Sequence, residues 1–235
     1  MSALHSPRQN QLLAALPEAI YKRLLPSLAL VPMPLGQVLY TSGGELPYLY
    51  FPTSCIVSLV YVMSNGASAE IAVAGHEELL GVSLFLGGLT APNQAVVQSG
   101  GHAYRIGADV IKREFDLGGP LQHPLLLYTQ ALIAQMAQTA VCNRHHSLDK
   151  QLCRWLLLSL DRLRSGELKM TQELIANMLG VRRQGVVEAA GKLHKAGFIS
   201  YQRGHISILD REGLEARVCE CYAVVKKEYD RLLPR

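Results

Sequence analysis

The sequence has no apolar run that reaches the roughly 18 residues a membrane-spanning helix requires. Its start shows no basic region followed by an apolar block, so no signal peptide and no membrane contact are expected, and the cytoplasm is the expected location. A Gly-rich phosphate loop, a dinucleotide fingerprint and a Ser nucleophile elbow are all missing, which removes the enzyme classes built on them. There is no His-x-His of the kind that a metal-dependent barrel enzyme uses, only Gly75-His76-Glu77-Glu78. No Cys-x-x-Cys occurs either. The five cysteines, Cys55, Cys142, Cys153, Cys219 and Cys221, are odd in number and read as free thiols. Cys219-Glu-Cys221 is too close for a zinc-ribbon pair and has no matching pair, so no metal site is expected. No catalytic residue and no cofactor are expected.

What is present is a chain of 235 residues, 49% hydrophobic, with a formal net charge of +4. That length accommodates two modest domains or one large one. The charge is uneven: the basic excess lies from Lys150 onward, and the preceding part is slightly acidic. A basic C-terminal part suits a nucleic-acid partner.

The stretch Thr171–Leu193 carries the strongest pattern. Thr171 is a suitable helix N-cap. Leu174, Ile175, Met178 and Leu179 form one apolar stripe at helical spacing. Gly180 follows, the residue that enters a left-handed turn without steric cost. A second helix begins near Arg182, with Val186, Ala189, Ala190 and Leu193 facing inward. Arg182, Arg183, Gln184 and Glu188 stand on its leading, outer end, and Lys192 is counted with them. This is the layout of a helix-turn-helix, whose second helix enters the major groove of double-stranded DNA. Arg pairs with guanine, Gln with adenine, and Glu accepts from cytosine. Residues 199–208 then read as a hairpin turning at Arg203-Gly204, which pairs Tyr201 with Ile206 and Ile199 with Ile208. Such a hairpin is the wing of a winged helix, and Arg203 and His205 at its tip are placed to meet phosphates.

Before that motif, residues 11–31 read as a helix broken at Pro17 and Pro26. Six strand-like runs follow, 37–40, 48–51, 55–62, 69–74, 95–98 and 102–106, separated by Gly, Pro and Asn turns. Asn65-Gly66 between Val-rich runs is a strong hairpin signal. Short strands at this spacing predict a jelly-roll barrel. A long helix then runs from about Pro124 to Arg144, apolar on more than one face. One side is expected to pack on the barrel. The other, with a seam of Leu126, Ile133 and Ala140 and with Met136, would suit a second copy of the chain. Asn143–Ser147 reads as a solvated hinge, residues 148–163 as a helix, and residues 210–233 as one closing amphipathic helix.

The order of barrel, long helix, hinge and winged helix resembles the Crp/Fnr family of bacterial transcription regulators. The resemblance covers nearly the whole chain. It is most specific at Asn143–Leu163 and Thr171–Tyr201, and extends to the run that starts at Tyr50 and to Leu80–Phe85. It implies an α+β fold: an N-terminal cyclic-nucleotide-binding-like β-roll over residues 1–120, a long dimerisation helix and hinge over 121–147, and a C-terminal winged helix-turn-helix over 148–235. It further implies a homodimer on palindromic operators, contact with RNA polymerase, and a small-molecule effector held between barrel and long helix. By position in the motif, Arg183, Gln184 and Glu188 match the family's base-reading residues, and Thr171, Gln172 and the wing its phosphate contacts. The effector pocket would be lined by Val82, Ser83, Asn93, Gln94 and Tyr128.

Two departures narrow the effector. Where the family's cyclic-nucleotide binders place a Glu for the ribose and an Arg-Ser pair for the phosphate, this chain has Gly81-Val82-Ser83 and Asn93-Gln94-Ala95. With no Arg to neutralise it, a buried phosphate is costly, so tight cyclic-AMP binding is not expected. The N-terminal cysteine cluster of the iron–sulfur members is also missing. His76 and His102 have no evident second axial ligand for a haem. A cupin-like metal-dependent enzyme and a winged helix that binds protein are the competing readings.

Overall fold

The computed structural model describes residues 5–163, 167–202 and 205–233. Two short helices open the chain, α1 (Gln11–Ala14) and α2 (Glu18–Leu24). Asn10 caps α1 by accepting from the Leu13 N–H. The amide of the same buried side chain donates to the Pro52 and Glu78 carbonyls, so this cap also fastens the N-terminal segment to the barrel. The helix expected over 11–31 therefore ends early. Pro26 sits in a single 3₁₀ turn, and the chain leaves it as strand β1 (Ala29–Met33), paired antiparallel along its whole length with a later strand. Long-range pairing overrides the local helical spacing there.

The six expected strands are present as β2 (Val38–Tyr40), β3 (Tyr48–Pro52), β4 (Ile56–Val62), β5 (Ser68–Ala74), β6 (Gln94–Ser99) and β7 (Gly101–Gly107). They form two antiparallel sheets in the orders β1-β7-β3 and β2-β6-β4-β5. Val-rich β4 is buried over its first five residues because it is a central strand, flanked on both sides. The Asn65-Gly66 turn joins β4 to β5. Gly66 adopts φ +84°, and the Asn65 side chain accepts from the Ala67 N–H.

An amphipathic helix not foreseen from the sequence, α3 (Ala108–Asp116), leads from β7 to the long helix α4 (Gln122–His145). Among the described residues α4 alone is long and apolar enough to cross a membrane by length and mean hydropathy. Its inner face is nonetheless packed on protein. Leu125, Tyr128, Ala131, Leu132 and Gln135 are buried, the Tyr128 hydroxyl donates to the Leu79 carbonyl, and Gln135 accepts from the Val73 N–H of β5. Its outer face leaves Leu126, Ile133, Ala140 and Val141 exposed. Met136 turns toward the barrel and away from that stripe.

Beyond the hinge come α5 (Leu148–Asp161), β8 (Glu167–Lys169), α6 (Gln172–Leu179), α7 (Arg183–Lys195), β9 (Ile199–Gln202) and β10 (His205–Ile208). The register of β9 with β10 pairs Tyr201 with Ile206 and Ile199 with Ile208. β8 adds a third strand to that sheet, in the order β8-β10-β9. The single closing helix expected over 210–233 is two helices, α8 (Arg211–Arg217) and α9 (Glu220–Leu232), broken at Val218-Cys219. Asp210 caps α8 by accepting from the Gly213 N–H, and Cys219, extended at φ −76° and ψ 162°, is the N-cap of α9.

The barrel and the C-terminal part share one buried junction. Arg162, just past α5, donates through Nε and Nη2 to Glu78 Oε1 at 2.7 and 2.5 Å, and Glu78 also accepts from the Gly75 N–H. Burial opposes the charge of Arg162, but the Glu78 carboxylate more than offsets it and raises the guanidinium above its usual range. Gly75 is required by this approach, because a Cβ there would lie 2.5 Å from that of Arg162. Gln98 of the barrel donates to the Ser159 hydroxyl of α5 at 3.2 Å, and Gln135 of α4 donates to the Tyr229 hydroxyl of α9 at 2.7 Å.

Candidate nucleic-acid interface

Helix α6 starts where the Thr171 hydroxyl accepts from the Leu174 N–H at 3.1 Å, satisfying one orphan donor of the first turn. It ends at Gly180, which takes φ +65° and ψ 34°. That turn also lies against the barrel. A Cβ on Gly180 would sit 3.2 Å from the Ala69 Cβ, and the Ser68 hydroxyl donates to the Asn177 carbonyl at 3.3 Å. The tip of the β4–β5 hairpin thus touches the turn that sets the angle between α6 and α7.

Helix α7 has two unlike faces. Val186, Ala189, Ala190 and Leu193 are buried against α5 and α6. Arg182, Arg183, Gln184, Glu188 and Lys192 are exposed, as is Thr171, and Gln172 is half-buried. Arg182 is the N-cap residue, so the two arginines stand at the helix entrance. The Gln184 amide donates to Glu188 Oε1 at 3.1 Å, an (i, i+4) pair that aligns both side chains on the free face. Arg183 lies 4.0 Å from Glu173, both well exposed, a contact that costs little to exchange for a nucleic-acid partner. Lys192 is differently placed. Its ammonium is 3.3 Å from Asp149, which also takes Arg217 at 3.5 Å, so it is tied to the start of α5. Arg203 lies outside the described residues, and for His205 the described feature is its place in β10, opposite Gln202. No sequence signal pointed to the Asp149 tether, because its partners are 43 and 68 positions away along the chain.

The barrel holds a cavity of about 100 Å³ between β4, the 79–83 and 91–93 segments and α4. Val82, Ser83 and Asn93, three of the residues assigned to the effector pocket, line it. Gln94 and Tyr128 do not. Gln94 pairs in β6 opposite Val60, and Tyr128 is fully buried one turn from the cavity, with Leu132 and Met136 facing it instead. The described walls are mainly apolar, with Tyr40, Leu46, Leu59, Leu79 and Leu80, and include no Lys, Arg, His, Asp or Glu. A volume well below the ~300 Å³ floor for drug-sized ligands, with no cation, does not suit a nucleotide. A roomier cleft, about 340 Å³, opens at the junction of Glu77, Arg162 and α9.

One side-chain cluster contradicts the sequence expectation for the hinge. A solvated hinge would leave His146 in water. Its side chain is only 15% exposed, with Cys221 Sγ 3.5 Å from Nδ1 and Glu220 Oε1 3.3 Å from Nε2. Cys142 and Cys219 complete the group.

Residues 150–217 match the Crp-like helix-turn-helix domain. The fold is similar over most of the chain to solved regulators. A transcriptional regulator of the Crp/Fnr family from Eubacterium rectale aligns with a TM-score of 0.69 at 19% identity, covering 89% of this chain and 98% of that one. FixK2 from Bradyrhizobium japonicum aligns at 0.68 and 15% identity, covering 82% and 98%. The c-di-GMP-responsive global regulator CLP from Xanthomonas campestris aligns at 0.63 and 15% identity, covering 82% and 99%. No curated protein sequence matches the chain.

Proposed function

We propose that this chain, which carries a Crp-like helix-turn-helix domain on the fold of the Crp/Fnr transcription regulators, reads specific DNA sequences as a homodimer and regulates transcription from the cytoplasm. The observation that carries this reading is the two-faced α7: an apolar side sealed in the core, and a free side whose entrance presents Arg182, Arg183, Gln184 and Glu188 together. Those side chains supply donors and acceptors for three of the four bases at major-groove edges. Thr171 and Gln172, with Arg203 and His205 assigned on sequence alone, would meet phosphates and set the register, and Lys192 would join the interface on leaving Asp149.

Dimerisation is assigned to the exposed stripe Leu126, Ile133, Ala140 and Val141 of α4, which gives two recognition helices a two-fold relation and hence a palindromic operator. RNA polymerase is the expected further partner. The reading divides the chain into a sensor domain at 1–120, a dimerisation helix and hinge at 121–147, and a DNA-binding domain at 148–235. The effector would be a small, largely apolar molecule in the cavity lined by Val82, Ser83 and Asn93, not cyclic AMP. It would act through α4 and through the hairpin contact at Gly180, by favouring one packing of barrel on helix over another. The apolar cavity, without a histidine or carboxylate among its described walls, gives a cupin-like enzyme no support.

The test is retention of genomic DNA fragments by the purified protein, with sequencing of what is retained and a salt titration. A palindromic motif, with log affinity falling linearly against log salt, supports the reading. Salt-sensitive retention with no motif, both alone and in cell extract, would sink it.

A further inference from the structure

Three of the five cysteines meet at the hinge. Cys142 lies on the last turn of α4, and His146, its C-cap, follows four positions later, so both side chains fall on one face. From the other side come Cys219, the N-cap of α9, and Cys221, within its first turn. The Cys142 and Cys219 sulfurs are 3.6 Å apart, and Cys221 Sγ is 3.5 Å from His146 Nδ1. All four donor atoms lie within 4.8 Å of one another. Among the described residues the three cysteines are buried and form a small cluster of their own, with Val218 packed against both it and the main hydrophobic core.

We propose that Cys142, His146, Cys219 and Cys221 are the ligands of a single zinc-class divalent ion that fastens α9 to the end of the long helix. The donor set is Cys₃His, a closed four-coordinate set of the structural kind, with no position left for water. Around one ion with bonds of about 2.3 Å to sulfur and 2.0 Å to nitrogen, tetrahedral edges are about 3.8 Å for S···S and 3.5 Å for S···N. The two close pairs, at 3.6 and 3.5 Å, are close to those lengths. The outer contacts fit as well. Glu220 Oε1 lies 3.3 Å from His146 Nε2, which leaves Nδ1 for the ion, and a carboxylate beside the outer nitrogen of a ligating imidazole is the usual support. The Gln138 amide donates to Cys221 Sγ at 3.0 Å, as it would to a thiolate. The N-terminus of α9 adds its positive dipole end to two of the three sulfurs.

A Cys142–Cys219 disulfide is the competing chemistry. It would employ two of the four donors and leave Cys221, His146 and the Glu220 and Gln138 contacts without a role. The inference does not depend on DNA reading. Its consequence is mechanical: the ion joins the hinge to a helix that also contacts Gln135 of α4, so occupancy stiffens the attachment of the C-terminal part to the long helix.

The experiment uses the full chain, reduced and stripped with chelator, then titrated with Co(II) and back-titrated with Zn(II). The expected result is one equivalent of Co(II) showing thiolate-to-metal charge transfer and the intense visible bands of a tetrahedral site, displaced by one equivalent of Zn(II). C142S, C219S and C221S should each abolish those bands, H146N should alter them, and E220Q or Q138L should weaken binding by about 10–100-fold. C55S, whose thiol is buried in the barrel, should leave them unchanged. Melting each stripped variant beside the stripped parent separates ligand loss from misfolding. Absence of tetrahedral Co(II) bands in the reduced parent would overturn the proposal, as would bands that survive all three Ser substitutions. So would a Cys142–Cys219 disulfide in protein that takes up no metal after reduction.

Discussion

Helices α4 and α7 each seal one face in the core and leave one free, and the two free faces differ in kind. That of α4 offers Leu126, Ile133, Ala140 and Val141; that of α7 offers Arg182, Arg183, Gln184 and Glu188. Apolar side chains in a row gain from losing water, whatever covers them, so the α4 face fits a protein surface. Charged and amide groups gain only from matched donors and acceptors, so the α7 face fits a polar edge with a pattern to read. On the proposed reading, the first face makes a dimer and the second gives it a target.

The largest effect should come from spoiling the apolar face. The double substitution Leu126→Glu and Ile133→Glu, at exposed positions, should yield a folded monomer. Affinity for a two-half-site operator should drop by about 10²–10⁴-fold, the gain that comes from joining two readers. Sedimentation of the variant and titration of one operator decide this. A variant that stays dimeric assigns the interface elsewhere.

The junction between barrel and α5 helps to hold the two faces in a fixed relation. Glu78→Ala leaves Arg162 buried without its carboxylate, and should lower stability by about 3–5 kcal/mol in a denaturant melt. Loss under ~1 kcal/mol would mean that water reaches the pair.

A second buried carboxyl at that junction, Glu70 of β5, should make it sensitive to pH. Burial pushes its pKa up to about 7, with Ser58, Arg154 and Trp155 beside it. The folded state therefore holds this proton more tightly than the unfolded one. The associated stability is fully present below about pH 4.5 and is lost as pH rises through about 7, on the order of 1–3 kcal/mol. Glu70→Gln should flatten that dependence and raise the melting temperature at pH 8 relative to the parent. An unchanged pH profile would show that Glu70 is ionised in the folded protein.

Smallest of these is the cap at the start of α6. Thr171→Ala should cost roughly 1 kcal/mol of stability through loss of the bond to Leu174. A further uniform loss of DNA affinity would mark Thr171 as a phosphate contact, and no loss would confine it to capping.

Local patterns were readable in the chain. Thr171, Gly180 and the Ile199–Ile208 register could be placed because a cap, a left-handed turn and a two-residue hairpin are each decided within a few residues. The same holds for Asn65-Gly66 and the strands beside it. What escaped depends on distant partners. β1 exists because β7 lies alongside it, and β8 because β10 does. At the break between α8 and α9, Cys219 meets Cys142 from 77 positions away, and His146 lies beside them, half-buried. The (i, i+4) spacing of Cys142 and His146 was visible, but pairing it with Cys219-x-Cys221 required the fold. The cavity is lined by Val82, Ser83 and Asn93 together with Leu132 and Met136 of α4, a set that only the packing of α4 on the barrel brings together.

The most direct test of the account is the Arg183→Ala variant, measured against a set of operators that carry every single-base change. If the free face of α7 reads bases, the loss should be about 1–3 kcal/mol on the native operator and should vanish at one symmetric base position, where the variant no longer discriminates. An equal loss on every sequence, with a shallower salt dependence, would contradict it and make Arg183 a phosphate contact.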